Sequence, residues 1–275
     1  MRIASWIRLA LLAVLAAAFL LPLYWLLVGS FRQLVGLVSI PPEWIPREPT
    51  LSNYTRLFGT GMLQRWFLNS AIVSGGAVAA ALLLSSWTGM ALALYEFPGQ
   101  RFVLGAIVAA MAFPAFIAFV PSFLLAKSLH IYNTHLGQMM PHFAWPFGVV
   151  LMRQYLLGLS KEMTDAARVD GAGGLALWWH IVLPVSKPVL GVLAVLAFRW
   201  GWSNWLWHSV MVRDVSGFTV PVGVWDLANG SVLFHDVKDE GLAMAGAVLG
   251  AIPLFLVFGL CQDALVRGLQ EGAIR

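Results

Sequence analysis

The sequence is poor in charged residues. Only 11% of its 275 residues are Asp, Glu, Lys or Arg, whereas 60% are apolar. A soluble domain typically has about 25% charged residues, so this chain does not have enough polar surface for an ordinary globular protein. The low charge therefore indicates an integral membrane protein.

Cysteine and the common catalytic motifs are also missing. Cys261 is the single cysteine, so no disulfide can form within the chain. The glycine-rich run 171–174 is not followed by Lys and Ser or Thr, so it is not a nucleotide-binding phosphate loop. His-Glu-x-x-His, a serine-protease elbow and paired carboxylates within apolar segments are absent, which argues against an intramembrane enzyme. His130 and His135 lack a third ligand, so we expect no metal site.

Net charge excludes a further class of partner. The formal charge is +4, and no basic cluster suited to a nucleic-acid backbone is present. We therefore expect the lipid bilayer to surround this chain, and we expect it not to bind nucleic acid.

Long apolar runs are what the sequence has in abundance. A helix of about 20 residues crosses the roughly 30 Å hydrocarbon core of a bilayer, and four windows of at least that length have no charge: 9–28, 66–94, 102–126 and 241–262. Two further segments each carry one arginine, Arg153 or Arg199. We predict an all-α integral membrane protein with one domain over residues 1–275. Its six transmembrane helices are expected at about 9–28, 68–94, 102–126, 138–158, 188–212 and 241–263.

The N-terminal run could be mistaken for a secretory signal, because Arg2 and Arg8 precede it. It is longer than the 7–15 residues of a cleaved apolar region, and no small-x-small cleavage site ends it. We expect it to be retained as the first span.

A polar segment, residues 160–187, separates the fourth span from the fifth. Asp165-Ala166-Ala167 is followed after three residues by Gly171, and after nine more by Ile181-Val182-Leu183-Pro184. Ser160 is a candidate N-terminal cap, and Glu162 places an acid where the helix dipole favours it. The alanines favour a helix that another protein can approach closely, and Gly171 permits a sharp turn out of it. The segment therefore predicts two short helices joined at Gly171.

This spacing resembles the signature of permease subunits of ATP-binding-cassette (ABC) importers, which reads acidic-Ala-Ala, three residues, Gly, nine residues, Ile-x-Leu-Pro. The resemblance covers essentially the whole chain. Similarity to sugar-import permeases related to the maltose importer extends to residues 40–46, 49–54, 67–70, 97–101 and 219–223, and to the tail 268–275, which is similar to that of the shorter permease subunit. Asp165 stands where the family usually has Glu, which keeps the charge and shortens the side chain by one methylene.

The resemblance implies a type I ABC importer permease with a cytoplasmic coupling-helix loop. A second homologous permease would complete the pathway as a heterodimer, two ATPase subunits would bind ATP and Mg, and an external solute-binding protein would deliver the solute. Residues from about 161 to 172 would bind in a cleft of the ATPase. The implied coupling residues are Glu162, Asp165, Ala166, Ala167, Asp170 and Gly171.

The same resemblance places the chain in a bacterial or archaeal inner membrane, with both termini and the coupling loop in the cytoplasm. The distribution of Lys and Arg adds little, since the expected inner segments carry nine and the outer ones seven. The chain itself would not be an enzyme, because ATP hydrolysis would belong to the separate ATPase subunits. A stand-alone channel or secondary carrier is the rival interpretation, and it would not need the coupling loop.

The fifth span contains a candidate solute face. On a continuous helix Trp200, Ser203 and Asn204 fall on one side, and aromatic rings with a few polar groups suit a sugar. In the fourth span Trp145 shares a predicted face with His142, Val149 and Arg153. Tryptophan is also common at membrane interfaces, so both faces have a second interpretation.

Arg199 lies near the middle of the fifth span, and the six predicted spans contain no acidic residue apart from Asp263 at the last position of the sixth. Its counter-charge must come from a backbone carbonyl, the partner permease, water or the solute. An anionic polyol phosphate such as glycerol 3-phosphate therefore stays open beside a neutral carbohydrate. The sequence does not name the solute.

Overall fold

A computed structural model describes residues 2–32, 44–114, 116–230 and 238–273, with the backbone alone for 2–5, 161 and 263–273. Over these residues the structure is helical, with no strand. Packing divides the chain into two compact units. One comprises residues 1–67 and 218–252, and the other comprises residues 68–217 and 253–275.

The first unit is formed by α1 (Arg2–Ser30), α2 (Ser52–Gly59), the start of α3 (Met62–Leu94), α13 (Val220–Asn229) and the start of α14 (Glu240–Ala273). The carbonyls at the end of α1 lack partners within the helix, and α2 satisfies two of the acceptors in this region. Asn53 donates to the carbonyl of Ser30 at 2.9 Å and to that of Arg32 at 2.7 Å. The buried Asn53 therefore fixes α2 to the end of α1.

Small residues let α14 approach α13 closely. A Cβ atom on Gly250 would lie 2.7 Å from Cγ1 of Val220, and one on Gly246 would lie 3.0 Å from Cγ2 of Val224. The two glycines are therefore required for helix packing, as small residues four apart often are in membrane proteins.

The second unit contains the rest of α3 and the shorter helices. These are α4 (Gln100–Ala112), α5 (Phe119–Ser128), α6 (His135–Met139), α7 (Pro146–Leu157), α8 (Lys161–Val169), α9 (Gly174–Leu177), α10 (Leu183–Val185), α11 (Lys187–Ser203) and α12 (Trp205–Met211). A 3₁₀ turn at Met140–His142 follows α6, and a π-helical turn at Trp178–Val182 joins α9 to α10.

Three helices in the described part of the chain are long and apolar enough to cross a membrane, and they lie in α1, α3 and α14. Residues Gly174–Val185 and Lys187–Ser203 would add a fourth span if taken together, although the pair is bent by 83°. By length and composition the structure thus supports several spans, and the division into six stays a prediction.

Three predicted spans are interrupted. The interval 102–126 contains α4 and α5 with Pro114 between them, and 138–158 contains α7 after a gap at 143–145. The interval 188–212 contains α11 and α12, which meet at Asn204. Proline cannot continue the backbone hydrogen-bond ladder, which accounts for the first gap, and Pro146 at the start of α7 marks the end of the second.

Candidate coupling surface and solute pathway

Helix α8 has one exposed side and one buried side. Glu162, Asp165 and Ala166 are exposed, whereas Thr164 and Ala167 are buried. Ser160 occupies the N-terminal cap position but makes no capping bond from its side chain. The exposed side of α8 therefore combines two carboxylates with a methyl-sized side chain, a surface that another protein can approach closely.

The turn after α8 has the geometry that glycine favours. Gly171 has φ of 81°, its N–H donates to the carbonyl of Arg168 at 3.0 Å, and the N–H of Ala172 donates to the carbonyl of Ala167 at 2.9 Å. These two bonds and the left-handed glycine form a Schellman motif, which ends a helix and satisfies its last carbonyls. Asp170 and Gly171 are exposed at this turn. The prediction of a sharp turn at Gly171 is confirmed.

Arg168 attaches α8 to the end of α3. It donates to the carbonyl of Leu94 at 2.7 Å, and its guanidinium lies 5.2 Å from the ring centre of Tyr95. Its ion pair with Asp165 is longer, at 3.7 Å, and exposed, so it contributes at most about 1 kcal/mol. Asp165 therefore keeps most of its surface for another partner. No local pattern in the sequence indicates this role of Arg168, because its partners at the end of α3 are far away along the chain.

A buried cluster lies beneath α8 and the segment that follows it. Its members are Met90, Met152, Leu156, Ala167, Leu177, Trp178, Val182 and Val189. Within it, the Trp178 indole donates from Nε1 to Oγ of Ser86 at 3.0 Å and packs edge-on against Trp87. Tyr155 adds a bond from its hydroxyl to the carbonyl of Val185 at 3.0 Å. Residues 161–185, which are called the coupling segment below, are therefore packed against α3 and α7 and do not extend freely from them.

The outward side of the segment after Gly171 is apolar. Leu175 and Trp179 are well exposed, and with Ala176 and His180 they line an open depression. Because this segment is bent by 83° from α11, it lies in the membrane plane if α11 crosses the bilayer.

The predicted solute residues of the fifth span are separated by a helix break. Arg199 and Ser203 are exposed near the end of α11, and Trp200 is half-buried. Asn204 is half-buried and caps α12, with its Oδ1 accepting the N–H of Trp207 at 3.2 Å. Asn204 thus has the hydrogen-bond partner that an amide needs inside a membrane. The interruption at Asn204 also means that no single helix presents all of these side chains.

The predicted face of the fourth span is not formed as a continuous helical face. His142 belongs to the 3₁₀ turn and Val149 to α7, with the gap 143–145 between them, and both are buried. Trp145 is half-buried beside Phe147, their ring centres 5.8 Å apart. Arg153 donates to the carbonyl of Leu92 at 3.2 Å. The expectation of one continuous helical face is therefore wrong, because residues 143–145 interrupt the helix. That Trp145 lines the solute pathway stays a prediction.

A polar junction that the sequence analysis missed connects α3, the start of α6 and the end of α12. Asn69 donates to the carbonyl of Ser216 at 2.8 Å, and its Oδ1 lies 3.1 Å from Nε2 of His135. Asn133 donates to Asp214 at 3.1 Å and accepts the N–H of Arg213 at 3.0 Å. A single asparagine, whether within a helix like Asn69 or in a loop like Asn133, gives no local signal of such long-range pairing. In the first unit, Asp239 pairs with Arg56 at 2.7 Å and accepts the Leu242 N–H at 2.9 Å.

No group of three His, Cys, Asp or Glu side chains that could bind a metal ion occurs in the part of the chain that the structure describes.

Residues 40–43 of the first sugar-permease motif, and the last two residues of the tail, lie outside the described residues.

Comparison with known families identifies the fold. The family described as "Binding-protein-dependent transport system inner membrane component" matches residues 81–271, which include α8, the Gly171 turn and α11. The chain belongs to this family. It is an ABC importer permease, and the resemblance inferred from the sequence is confirmed.

The relatives and a solved structure agree with this assignment. The arabinooligosaccharides permease AraQ of Halalkalibacterium halodurans is 33% identical, covering 99% of this chain and 97% of its own. The galactooligosaccharides permease GanQ of Bacillus subtilis is 30% identical, covering 100% and 98%. A crystal structure of a bacterial ABC transporter that imports the acidic polysaccharide alginate superposes with a TM-score of 0.82, at 23% identity, covering 95% of this chain and 96% of that one. The structure is thus an all-α membrane protein with the type I ABC importer permease fold.

Proposed function

We propose that this chain is one of two permease subunits in a carbohydrate importer, and that ATP hydrolysis in separate ATPase subunits reaches the membrane through α8. The observation that carries this proposal is the exposed side of α8, where Glu162, Asp165 and Ala166 face outward while Ala167 packs on the cluster around Trp178. One side of the helix is therefore free to contact an ATPase, and the other side transmits its displacement.

The transmission route follows the packing beneath α8. A push on α8 acts on Ala167 and on the Arg168 bond to the end of α3. The Trp178 to Ser86 bond connects the next segment to the C-terminal third of α3. Packed elements of this kind move as rigid bodies. Closure of the ATPase pair around ATP and Mg would therefore rotate these helices and alternate access to the solute.

We place the ATP-binding residues outside this chain, and we place α8 on the cytoplasmic side of the inner membrane together with both termini. An external solute-binding protein and a second homologous permease complete the assembly. The family description, which specifies transport dependent on a binding protein, supports the first of these partners.

A carbohydrate is the proposed solute class, because the oligosaccharide permeases described above match over nearly the full chain. The break at Asn204 supports a pathway at the end of α11, since interrupted membrane helices often border substrate sites in transporters. The exposed Arg199 and Ser203 lie beside this break, so hydroxyl-rich solutes would find both a cation and a hydroxyl there.

Reconstituted uptake tests the solute class. The importer, assembled with its ATPases and binding protein in proteoliposomes, should accumulate radiolabelled arabino- or galacto-oligosaccharide on addition of ATP, and sn-glycerol 3-phosphate should not accumulate. Replacing Arg199→Leu should lower oligosaccharide uptake less than tenfold, because a neutral solute needs no counter-charge. Uptake of glycerol 3-phosphate that Arg199→Leu abolishes would support the anionic alternative instead, and uptake without ATP would support a stand-alone carrier.

A further inference from the structure

Two buried polar side chains near the start of the fourth predicted span have acceptor atoms that nothing in the described protein satisfies. Gln138 and His142 are each 1% exposed, and neither Oε1 of Gln138 nor Nε2 of His142 has a hydrogen-bond partner among the described residues. A buried polar atom without a hydrogen-bond partner destabilises the folded protein. Two such atoms in one place indicate that a molecule outside the chain completes the site.

The remaining bonds of Gln138 fix which of its atoms is free. Its Nε2 donates to the carbonyl of Gly217 at 3.2 Å. The reversed amide would place Oε1 against that carbonyl, and two acceptors repel each other. The free atom of Gln138 is therefore an acceptor.

The same reasoning assigns the tautomer of His142. Its Nδ1 lies 3.3 Å from the carbonyl oxygen of Met139, and a carbonyl can only accept, so Nδ1 has the proton. In the neutral imidazole Nε2 is then an acceptor. Both unsatisfied atoms accept, and neither can satisfy the other.

Gln138 and His142 are neighbours along one helical stretch. Residues 135–142 form α6 and the 3₁₀ turn without interruption, and residues four apart on a helix have Cβ atoms about 5–6 Å from each other. The ring of Trp200 packs on that of His142, with centroids 4.2 Å apart, and Trp200 is itself partly exposed. The partly exposed ring of Trp200 therefore borders His142.

We propose that Gln138 and His142 form a binding site for a ligand with two hydroxyl-type donor hydrogens. A water molecule has two such hydrogens, and so does the vicinal diol of a sugar, whose C–H face could also pack on Trp200. Occupation by a sugar rests on the carbohydrate function proposed above, whereas occupation by water does not.

High-resolution cryo-electron microscopy of the complete importer in nanodiscs tests the site, with arabinotriose as the probe. Without the probe, density is expected within hydrogen-bonding distance of both atoms. With the probe, unchanged density identifies a structural water, and replacement by sugar density identifies a solute site. An empty space in both maps, at a resolution that shows other internal waters, overturns the proposal. Failure of the carbohydrate function would leave the probe-free density unaffected, so the two failures are distinguishable.

A double-mutant cycle provides a second measurement that does not need the solute. Gln138→Met also removes the hydrogen bond to the carbonyl of Gly217, and His142→Phe removes the one to the carbonyl of Met139. Each of these bonds involves only one of the two residues, so its loss cancels in the cycle. If one ligand bridges the two residues, the shift in unfolding temperature of the double variant is smaller than the sum of the single shifts. Gln64→Met, at an exposed position in α3, combined with His142→Phe is the control and should be additive. Additive shifts for the Gln138 and His142 pair would contradict a shared ligand.

Discussion

Gly171 is the residue at which backbone geometry constrains the coupling segment most directly. Its φ of 81° is in the left-handed region, and a Cβ atom there would meet nothing within 4 Å. A substitution therefore tests the backbone conformation alone, without a steric clash.

Gly171→Val should impair coupling, and Gly171→Asn should be tolerated. The left-handed conformation costs a residue with Cβ about 1–2 kcal/mol, and more when it is β-branched, whereas asparagine adopts it more readily. We expect Gly171→Val to reduce ATP-driven uptake at least fivefold and Gly171→Asn to retain more than half of it. Transport should be normalised to the amount of assembled complex. Equal loss in both variants would show that the turn is not what matters.

Asn204 has a structural role that can be separated from a role in the pathway. Its side chain caps α12, and loss of such a cap typically costs about 1 kcal/mol. Asn204→Leu should therefore lower the unfolding temperature of the nanodisc complex, and Asn204→Ser, which can also cap, should not. If Asn204→Ser keeps the stability but abolishes uptake, the amide contacts the solute as well.

At the scale of helices, the sequence predicted which apolar segments form helices but not where those helices are interrupted. The windows at 9–28 and 66–94 lie within α1 and α3, because an uncharged run of that length has few alternatives to a helix. The gaps before Phe119 and Pro146 could have been anticipated from Pro114 and Pro146 themselves. The break at Asn204 has a weaker signal. Asn204 is a residue type that caps helices, but the sequence does not show that α11 ends there, because the cap depends on one side-chain rotamer.

The angle between Gly174–Val185 and α11 could not be predicted from the sequence either. Pro184 and the Ile-x-Leu-Pro pattern predict an end to the second short helix, but the 83° bend depends on packing of Trp178 and Val182 in the buried cluster. Arg168 shows the same limit, because its partners Leu94 and Tyr95 are more than 70 residues away in the chain.

The segment Gly174–Val185 should contact the membrane interface. Trp179 is 59% exposed on a segment that turns sharply from α11, and tryptophan is enriched at the headgroup level of membranes. In a Cys261→Ala background, a nitroxide label at Trp179→Cys should be accessible to oxygen and protected from a water-soluble nickel complex.

The matched control is Val169→Cys at the end of α8, where the native side chain is 87% exposed. Its label should be accessible to the nickel complex in the permease without ATPase and protected once the ATPase binds. Nickel accessibility at position 179 in the lipid-bound permease would exclude the interfacial placement.

At the scale of the whole molecule, the family could be inferred from the sequence because its signature is spread over the chain. The Asp165 to Pro184 spacing, the match over residues 81–271 and the fold all indicate an importer permease. The proposed solute site was less predictable, since it lies at an interruption between two helices and, in the proposed assembly, faces a second permease subunit.

The central claim is that the exposed side of α8 is where the ATPase binds. Ala166 is exposed between Asp165 and Ala167, so Ala166→Arg adds a large side chain to that side without disturbing the buried cluster. The most direct measurement is the amount of ATPase that co-purifies with tagged permease, together with its ATP turnover in nanodiscs. Gln64→Arg, exposed near the start of α3 and on the expected outer side, is the control. The account predicts at least a tenfold loss of bound ATPase for Ala166→Arg and none for Gln64→Arg; full retention of the ATPase by Ala166→Arg would contradict it.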